Sequence, residues 1–185
     1  MMITDGLKLY HGSYMEVSCP DIRMCRYGKD FGRGFYLTTD KEQAIRFTKT
    51  AVKKAVFDGR IDGTSSKGFV SEFVYNEGGS LNIYEFKNAD SEWLHCVVAH
   101  RKSGLENELG KWKDYDIICG KIANDNTNLV ITTYMDGLYG EVFSEAADNI
   151  AIGFLEPDNL KDQICMRTDR AIESLRFTGS KEVEI

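Results

Sequence analysis

The chain has 185 residues, of which 42% are hydrophobic, and its 23 lysines and arginines against 29 aspartates and glutamates leave a net charge of −6. This length can bury one substantial core, whereas two full domains would each lie near the lower end of the usual size range. The charges form no basic stripe, which disfavours non-specific binding to nucleic acid but leaves a specific nucleic-acid substrate open.

The first part of the chain predicts two strands separated by an irregular stretch. Residues 7–11 alternate with a period of two and end at Gly12, so they predict a short strand with His11 near its end. A second β-rich run begins at Phe35 and Tyr36, after two glycines. Neighbouring side chains on a strand point to opposite faces, so one of these two rings should lie in the core and the other can form a stacking wall.

A helix and a hairpin follow in the predicted order. Residues 39–42 have the spacing of a capping box and predict a helix to about residues 58–59. The runs 69–76 and 81–86 are rich in β-forming residues, and the glycine-containing segment between them predicts a hairpin turn. The apolar stripe predicted for the helix consists of Ala44, Phe47, Ala51, Val52 and Ala55.

The second half of the chain continues the mixture of strands and helices. Its predicted elements are a helix capped by Asp90 or Ser91, a strand over 115–119, a helical region from about Asn126, a strand over 163–167, a short helix capped by Thr168 or Asp169, and a last strand near Phe177. This order predicts an α+β fold. We expect one domain over residues 1–178 and a C-terminal tail over residues 179–185.

Several classes of protein are disfavoured by the same sequence. No window approaches the ~18–20 apolar residues that cross a bilayer, and the first residues lack a basic and then an apolar segment, so we expect a cytoplasmic protein with no membrane partner. The 5 cysteines are odd in number without a Cys-x-x-Cys pair, which indicates a reducing compartment. The 3 histidines show no metal-ligand spacing, and we expect no metal.

Two short motifs carry the functional interpretation. His11-Gly12-Ser13 places a histidine beside a glycine, and Gly32-Arg33-Gly34-Phe35-Tyr36 leads two glycines into an aromatic strand. Each has an ordinary explanation by itself: a strand-end histidine bonded to backbone, and an aromatic pair packing both faces of a sheet. The glycines precede a strand, so they do not form a Rossmann phosphate loop.

Together, the two motifs and the helix after them resemble the ADP-ribosyltransferase superfamily, in its diphtheria-toxin and poly(ADP-ribose) polymerase-like branch. That branch has a Tyr-His-Gly-Thr or Trp-His-Gly-Ser strand, then Gly-x-Gly-Ile/Phe-Tyr, then a helix. The chain also resembles a bacterial family of unassigned function within the superfamily. The resemblance covers residues 7 to about 58 and returns at 162–175. It implies a split β-sandwich with flanking helices that holds NAD.

The resemblance also implies roles for individual residues. It places His11 on the adenosine-side ribose hydroxyl of NAD, the Gly12 backbone on the nicotinamide carboxamide, and Tyr36 against the nicotinamide face. Phe47 matches a second aromatic position of the family, so the ring of nicotinamide could lie between Tyr36 and Phe47. Ser13 would lie beside His11. Simple core packing is the alternative for Phe47.

The third family position departs from the pattern. Where the family has a glutamate on a late strand, this chain has Gln163, with Asp162 as the alternative. Adjacent residues on a strand face opposite ways, so both can reach one cleft only across a bulge. An amide can hold the nicotinamide ribose hydroxyl, but it stabilises the developing cation far less than a carboxylate does.

The resemblance therefore implies a NAD-dependent mono-ADP-ribosyltransferase with His11, Tyr36 and Gln163 as its catalytic residues. NAD would be the substrate, and no metal would be needed. The acceptor stays open among protein, nucleic acid and small molecule, because loops such as 16–29 and 101–114 would select it. The alternatives are a catalytically weak or silent module that binds NAD or ADP-ribose, and a toxin component held inactive by a partner protein.

Overall fold

Strands and helices alternate along the chain in the computed structural model, which describes residues 3–123, 125–155 and 160–185. The strands are β1 (Lys8–Ser13), β2 (Phe35–Leu37), β3 (Lys67–Tyr75), β4 (Ile83–Glu85), β5 (Ile117–Lys121), β6 (Asp162–Met166) and β7 (Leu175–Glu184). The α-helices are α1 (Lys41–Phe57), α2 (Ser91–Arg101), α3 (Asp125–Met135), α4 (Glu145–Leu155) and α5 (Asp169–Glu173). This confirms the predicted α+β class.

The strands form two separate sheets. The first sheet has the antiparallel order β1-β3-β7, and the second has the order β2-β6-β5-β4, in which β4 runs parallel to β5. One apolar cluster fills the space between the sheets, and it includes Leu9, Phe35, Phe73, Ile117 and Ile164. A second cluster lies between the other face of the second sheet and helices α2 to α4. The second sheet is therefore buried on both faces.

Helix α1 covers the outer face of the first sheet. It begins after Asp40, whose side chain accepts a hydrogen bond of 3.1 Å from the Gln43 N–H, so the cap lies one residue after the Thr39 of the predicted capping box. Its buried positions are Ala44, Thr48, Val52 and Ala55. The predicted stripe was wrong at Phe47, which is 46% exposed. Phe47 lies about 100° around the helix from Thr48, which places it at the margin of the contact.

The predicted hairpin between residues 69–76 and 81–86 does not form. β3 pairs with β1 along one edge and with β7 along the other, so it has no free edge for β4. β4 instead joins the second sheet beside β5. The glycine-containing segment connects the two sheets, because pairing with strands distant in the sequence satisfies both edges of β3.

Residues 179–185 differ from the predicted tail. They continue β7 as far as Glu184, and Lys181 and Val183 pair with Val70 and Gly68 of β3. The segment resembles a tail because it is an edge strand with little buried surface and mostly polar side chains. Backbone hydrogen bonds to β3 hold it in place, and such bonds do not require a pattern of apolar side chains that could be recognised in the sequence.

Candidate functional site

Strands β1 and β2 meet at one point and then separate. Tyr10 and Thr38 exchange two backbone hydrogen bonds of 2.8 and 3.0 Å. If the pairing continued, Gly12 would bond to Tyr36, but no backbone hydrogen bond joins these two residues in the part of the chain that the structure describes. Nδ1 of His11 instead contacts the Tyr36 carbonyl oxygen at 2.8 Å. We call the place where the backbones of Gly12 and Tyr36 are not joined by a hydrogen bond, with the His11 imidazole beside it, the β1–β2 gap.

The backbone of Gly12 faces this gap with its hydrogen-bonding groups unused. Tyr10 directs its N–H and C=O away from β3 and towards Thr38. Backbone groups alternate along a strand, so Gly12, two residues further on, directs its own N–H and C=O to the same edge. Neither group has a partner among the described residues. A buried backbone donor and acceptor without partners is uncommon, and the pair suits a ligand with an amide group.

The α-carbon of Gly12 contacts helix α1 directly. A Cβ atom at this position would lie 2.2 Å from the Ala44 carbonyl oxygen and 3.3 Å from the Thr48 nitrogen. The glycine is therefore required for the close approach of strand and helix, in addition to any contact with a ligand. The sequence indicated only the approach of a flat ligand, because the packing of α1 on β1 depends on the tertiary fold.

His11 is held as a neutral ring with one free nitrogen. A carbonyl oxygen can only accept, so Nδ1 carries the hydrogen that is donated to Tyr36. Burial lowers the pKa of His11, and the hydrogen bond to Tyr36 opposes this shift to a smaller extent. The Nε2 lone pair has no partner within the described residues, and the ring packs on Phe35 with centroids 4.3 Å apart. His11 can thus accept a hydrogen bond from a ligand hydroxyl.

Tyr36 places its ring on the opposite face of β2 from Phe35. The ring packs against the cluster beneath helices α2 to α4. Its hydroxyl donates to the Gly32 carbonyl at 2.8 Å and accepts from the Phe31 N–H at 2.9 Å. Burial raises the pKa of Tyr36 well above its usual value, so the phenol stays neutral. The rings of His11 and Tyr36 are therefore not face to face, although His11 binds the backbone of Tyr36.

Gln163 lies on the same face of the second sheet as the Tyr36 ring. Tyr36 pairs with Cys165, and Gln163 is two residues from Cys165 along β6. Gln163 is 5% exposed, and its Nε2 donates to Asp30 Oδ2 at 2.6 Å and to the Lys121 carbonyl at 3.2 Å. Asp162 faces the other way without a bulge in β6 and forms an ion pair with Lys121 at 3.1 Å.

Residues 30–32 connect two of the predicted catalytic residues. Asp30 binds the Gln163 amide, while Phe31 and Gly32 bind the Tyr36 hydroxyl. Asp30 also accepts hydrogen bonds from Arg101, which is 71 positions away in the sequence. Neither Asp30 nor Arg101 was predicted from the sequence. The only local signal for Asp30 is that an acidic residue stands ahead of the glycine motif, and no local feature of the sequence relates Asp30 to Arg101.

Ser13 and Phe47 differ in burial and position. Ser13 is buried at the end of β1, next to Gly12. Phe47 is exposed on α1, and no contact between its ring and that of Tyr36 occurs among the ring contacts of the described residues.

Two surface cavities of about 230 and 370 Å³ lie elsewhere, beside the loop at residues 76–81 and beside residues 19–23.

The other two histidines have structural partners. His95 Nε2 on α2 contacts Asp148 of α4 at 2.8 Å, and Asp148 also accepts from the Tyr134 hydroxyl of α3 at 2.5 Å. His100 Nδ1 donates to the Cys96 carbonyl at 2.8 Å. Over the described residues, no group of three or more histidine, cysteine or acidic side chains could hold a metal ion. None of the described helices is long and apolar enough to span a membrane.

We expect the protein to lose stability as the pH falls from 7 to 5. Burial lowers the pKa of His100 from 6.5 to about 4 and also lowers that of His11. The unfolded chain therefore takes up protons near pH 6.5 that the folded protein does not, and stability falls with decreasing pH. His100 alone should account for a loss of about 2 kcal/mol in the free energy of unfolding, measured by urea titration.

The matched variant for this measurement is His100→Gln, which keeps a donor for the Cys96 carbonyl. It should show a weaker pH dependence between pH 7 and 5 than the wild-type protein. An unchanged slope in His100→Gln would show that other groups cause the loss of stability.

Comparison with known proteins identifies the family of the chain. A search of the curated proteins finds no match. A family model matches residues 7–177, from the residue before β1 into β7, and thus includes every residue of the β1–β2 gap as well as Asp30 and Gln163. The chain therefore belongs to the family described as "Protein of unknown function (DUF3990)".

Proposed function

We propose that the protein binds NAD at the β1–β2 gap, cleaves the nicotinamide–ribose bond and transfers ADP-ribose to an acceptor. The observation that carries this proposal is the unpaired N–H and C=O of Gly12 beside the free Nε2 of His11. The resemblance in sequence points to the same residues. The two sheets are bridged at Tyr10 and Thr38, and their strands do not continue to pair beyond this point. This arrangement supports the split β-sandwich that the resemblance implies.

The groups at the gap match the hydrogen-bonding needs of NAD. A carboxamide has one acceptor and one donor group, and the N–H and C=O of Gly12 would satisfy both without a side chain. The Nε2 of neutral His11 would accept from a hydroxyl of the adenosine-side ribose. These contacts would fix NAD against the strand edge, so that the protein contributes mainly orientation to the cleavage of the glycosidic bond.

Gln163 favours limited catalysis. Its amide oxygen can accept a hydrogen bond from the nicotinamide ribose, but it lacks the negative charge that stabilises an oxocarbenium-like transition state. Elongation of a chain also requires activation of a ribose hydroxyl as the nucleophile. We therefore propose transfer of a single ADP-ribose unit, or slow hydrolysis of NAD, rather than polymer synthesis.

The same residue favours a second candidate function. A protein with the Gly12 and His11 contacts but without a carboxylate at position 163 could bind NAD or an ADP-ribosylated ligand without cleaving it. The two functions differ in a measurable quantity, because only an enzyme releases nicotinamide.

The test uses the full chain with NAD that is labelled in its adenylate part. Free nicotinamide is measured by chromatography, and label on proteins, nucleic acids and small molecules of a cell lysate is measured by gel and mass spectrometry. Release of nicotinamide together with transferred label supports the transferase. Saturable binding of NAD without release supports the binding module. No binding at millimolar NAD contradicts both.

A further inference from the structure

Asp30 is a nearly buried carboxylate whose contacts lead directly to Gln163. It is 7% exposed and lies in the loop before β2. Its Oδ1 accepts from Nε of Arg101 at 2.9 Å and from Nη2 of the same guanidinium. Its Oδ2 accepts from the Gln163 amide at 2.6 Å and from the Ala123 N–H at 3.2 Å. Both oxygens are fully engaged, so Asp30 is fixed in position by partners from three segments of the chain.

These contacts determine which way the Gln163 amide points. The Asp30 carboxylate and the Lys121 carbonyl are both acceptors, so the nitrogen of the amide must face them. The Oε1 atom therefore points away from Asp30, and it accepts from no group of the described chain. The oxygen is not among the fully buried side-chain atoms that lack a partner, so it reaches the surface of this nearly buried residue and is open to a donor such as a hydroxyl.

The same contacts explain why residue 163 is an amide. A glutamate here would bring a second carboxylate to the position that now lies 2.6 Å from Asp30. Two carboxylates at this distance cannot both be ionised, and one would have to bind a proton. A carboxylate at position 30 thus requires an uncharged donor at position 163.

We propose that Asp30 is the positioning residue for Gln163: it fixes the amide so that Oε1 accepts a hydrogen bond from the nicotinamide ribose, and Arg101 in turn holds Asp30. This inference rests on the proposed function. The negative charge that ADP-ribosyltransferases have on the late strand would here be supplied by the loop before β2. Asp30 acts through Gln163 and does not itself touch NAD.

The pairing is tested by a double-mutant cycle of Gln163→Glu, Asp30→Asn and both together in the full chain. Gln163→Glu should lower the Tm at pH 8 by roughly 10 °C, because a buried charge-assisted hydrogen bond is replaced by repulsion. The double variant should recover at least half of this loss, since the amide introduced at position 30 can donate to the new carboxylate. Additive losses in Tm would overturn the pairing.

The pH dependence separates repulsion from a packing defect. The Tm deficit of Gln163→Glu relative to wild type should shrink from pH 8 to pH 5, as one carboxyl of the pair takes up a proton. A deficit that is independent of pH would contradict the proposal. Among the described residues, the other charged or titratable groups that act on this region are Arg101, His100 and Cys96 of α2, Tyr36 of β2, Lys29 of the loop and Cys165 of β6.

Kinetics test the positioning role itself. Asp30→Asn should lower kcat for nicotinamide release by roughly 10–100-fold with little change in KM, because the amide is held less firmly while the Gly12 contacts persist. A lower Tm with unchanged kcat would show a merely structural role and overturn the proposal. A wild-type protein that releases no nicotinamide would instead overturn the proposed function, whereas the Tm cycle is read independently of turnover.

Discussion

Replacement of His11 by alanine is expected to lower kcat/KM for the release of nicotinamide from NAD by roughly 100–1000-fold. The imidazole has two functions that alanine cannot supply. Its Nδ1–H holds the Tyr36 carbonyl at 2.8 Å, at the point where the two strands separate. Its Nε2 is the acceptor that we assign to the ribose hydroxyl. Loss of the ring would remove this contact and allow water or the opposing strand to fill the gap.

The matched control is His95→Gln, which changes another half-buried histidine that lies on α2 and contacts Asp148. Both variants are first compared with wild type by thermal unfolding, and nicotinamide release is then measured over a range of NAD concentrations. His95→Gln should retain wild-type kcat/KM. If His11→Ala also retains it, the assignment of the β1–β2 gap as the NAD site is wrong.

Gly12→Ala is expected to cause a large loss of stability. The new Cβ would lie 2.2 Å from the Ala44 carbonyl oxygen, which belongs to the backbone of α1 and cannot move by a rotamer change. Strand and helix would have to separate, and overpacking of this kind costs about 3 kcal/mol in the free energy of unfolding. Urea titration of the purified variant measures this loss.

Gly153→Ala provides the opposite expectation. Gly153 lies within α4, and a Cβ there meets no atom within 4 Å. Alanine at such a site should raise the free energy of unfolding by about 0.5–1 kcal/mol, because it restricts the unfolded chain and favours the helix. Equal effects of Gly12→Ala and Gly153→Ala would contradict the packing of β1 on α1 that the structure shows.

Local signals in the sequence predicted the elements that depend on neighbouring residues. The side chains of Asp90 and Thr168 each accept a backbone hydrogen bond at the start of a helix, and each was one of two predicted caps. The helix predicted from the capping box at residues 39–42 also forms, with Asp40 as its cap. A capping residue acts within one turn, so its effect can be read from a few letters of sequence. The α+β class followed from the order of such elements.

Pairing between distant segments could not be predicted in the same way. The segments 69–76 and 81–86 have the composition of a hairpin, yet β3 pairs with β1 and β7, which belong to opposite ends of the chain. Residues 179–185 are mostly polar and were expected to be a tail, but residues 179–184 belong to β7 and pair with the second edge of β3. Which edges are available depends on the whole fold rather than on local composition.

The candidate site shows the same division. The alternation of Phe35 and Tyr36 predicted that their rings lie on opposite faces of β2, which the structure confirms. Both rings pack against apolar clusters, so the ordinary explanation, an aromatic pair that packs both faces of a sheet, describes them better than a stacking wall. The sequence did not reveal that the Tyr36 hydroxyl is bound by its own preceding loop. Nor could it reveal that Gln163 is held by Asp30, a residue 133 positions earlier.

A crystal structure of the protein with a non-hydrolysable analogue of NAD is the most direct test of the site. It should show the carboxamide oxygen at the N–H of Gly12, the carboxamide nitrogen at the C=O of Gly12, and a ribose hydroxyl at Nε2 of His11. An analogue bound elsewhere at saturating concentration, or a β1–β2 gap closed by a direct hydrogen bond between Gly12 and Tyr36, would contradict this account.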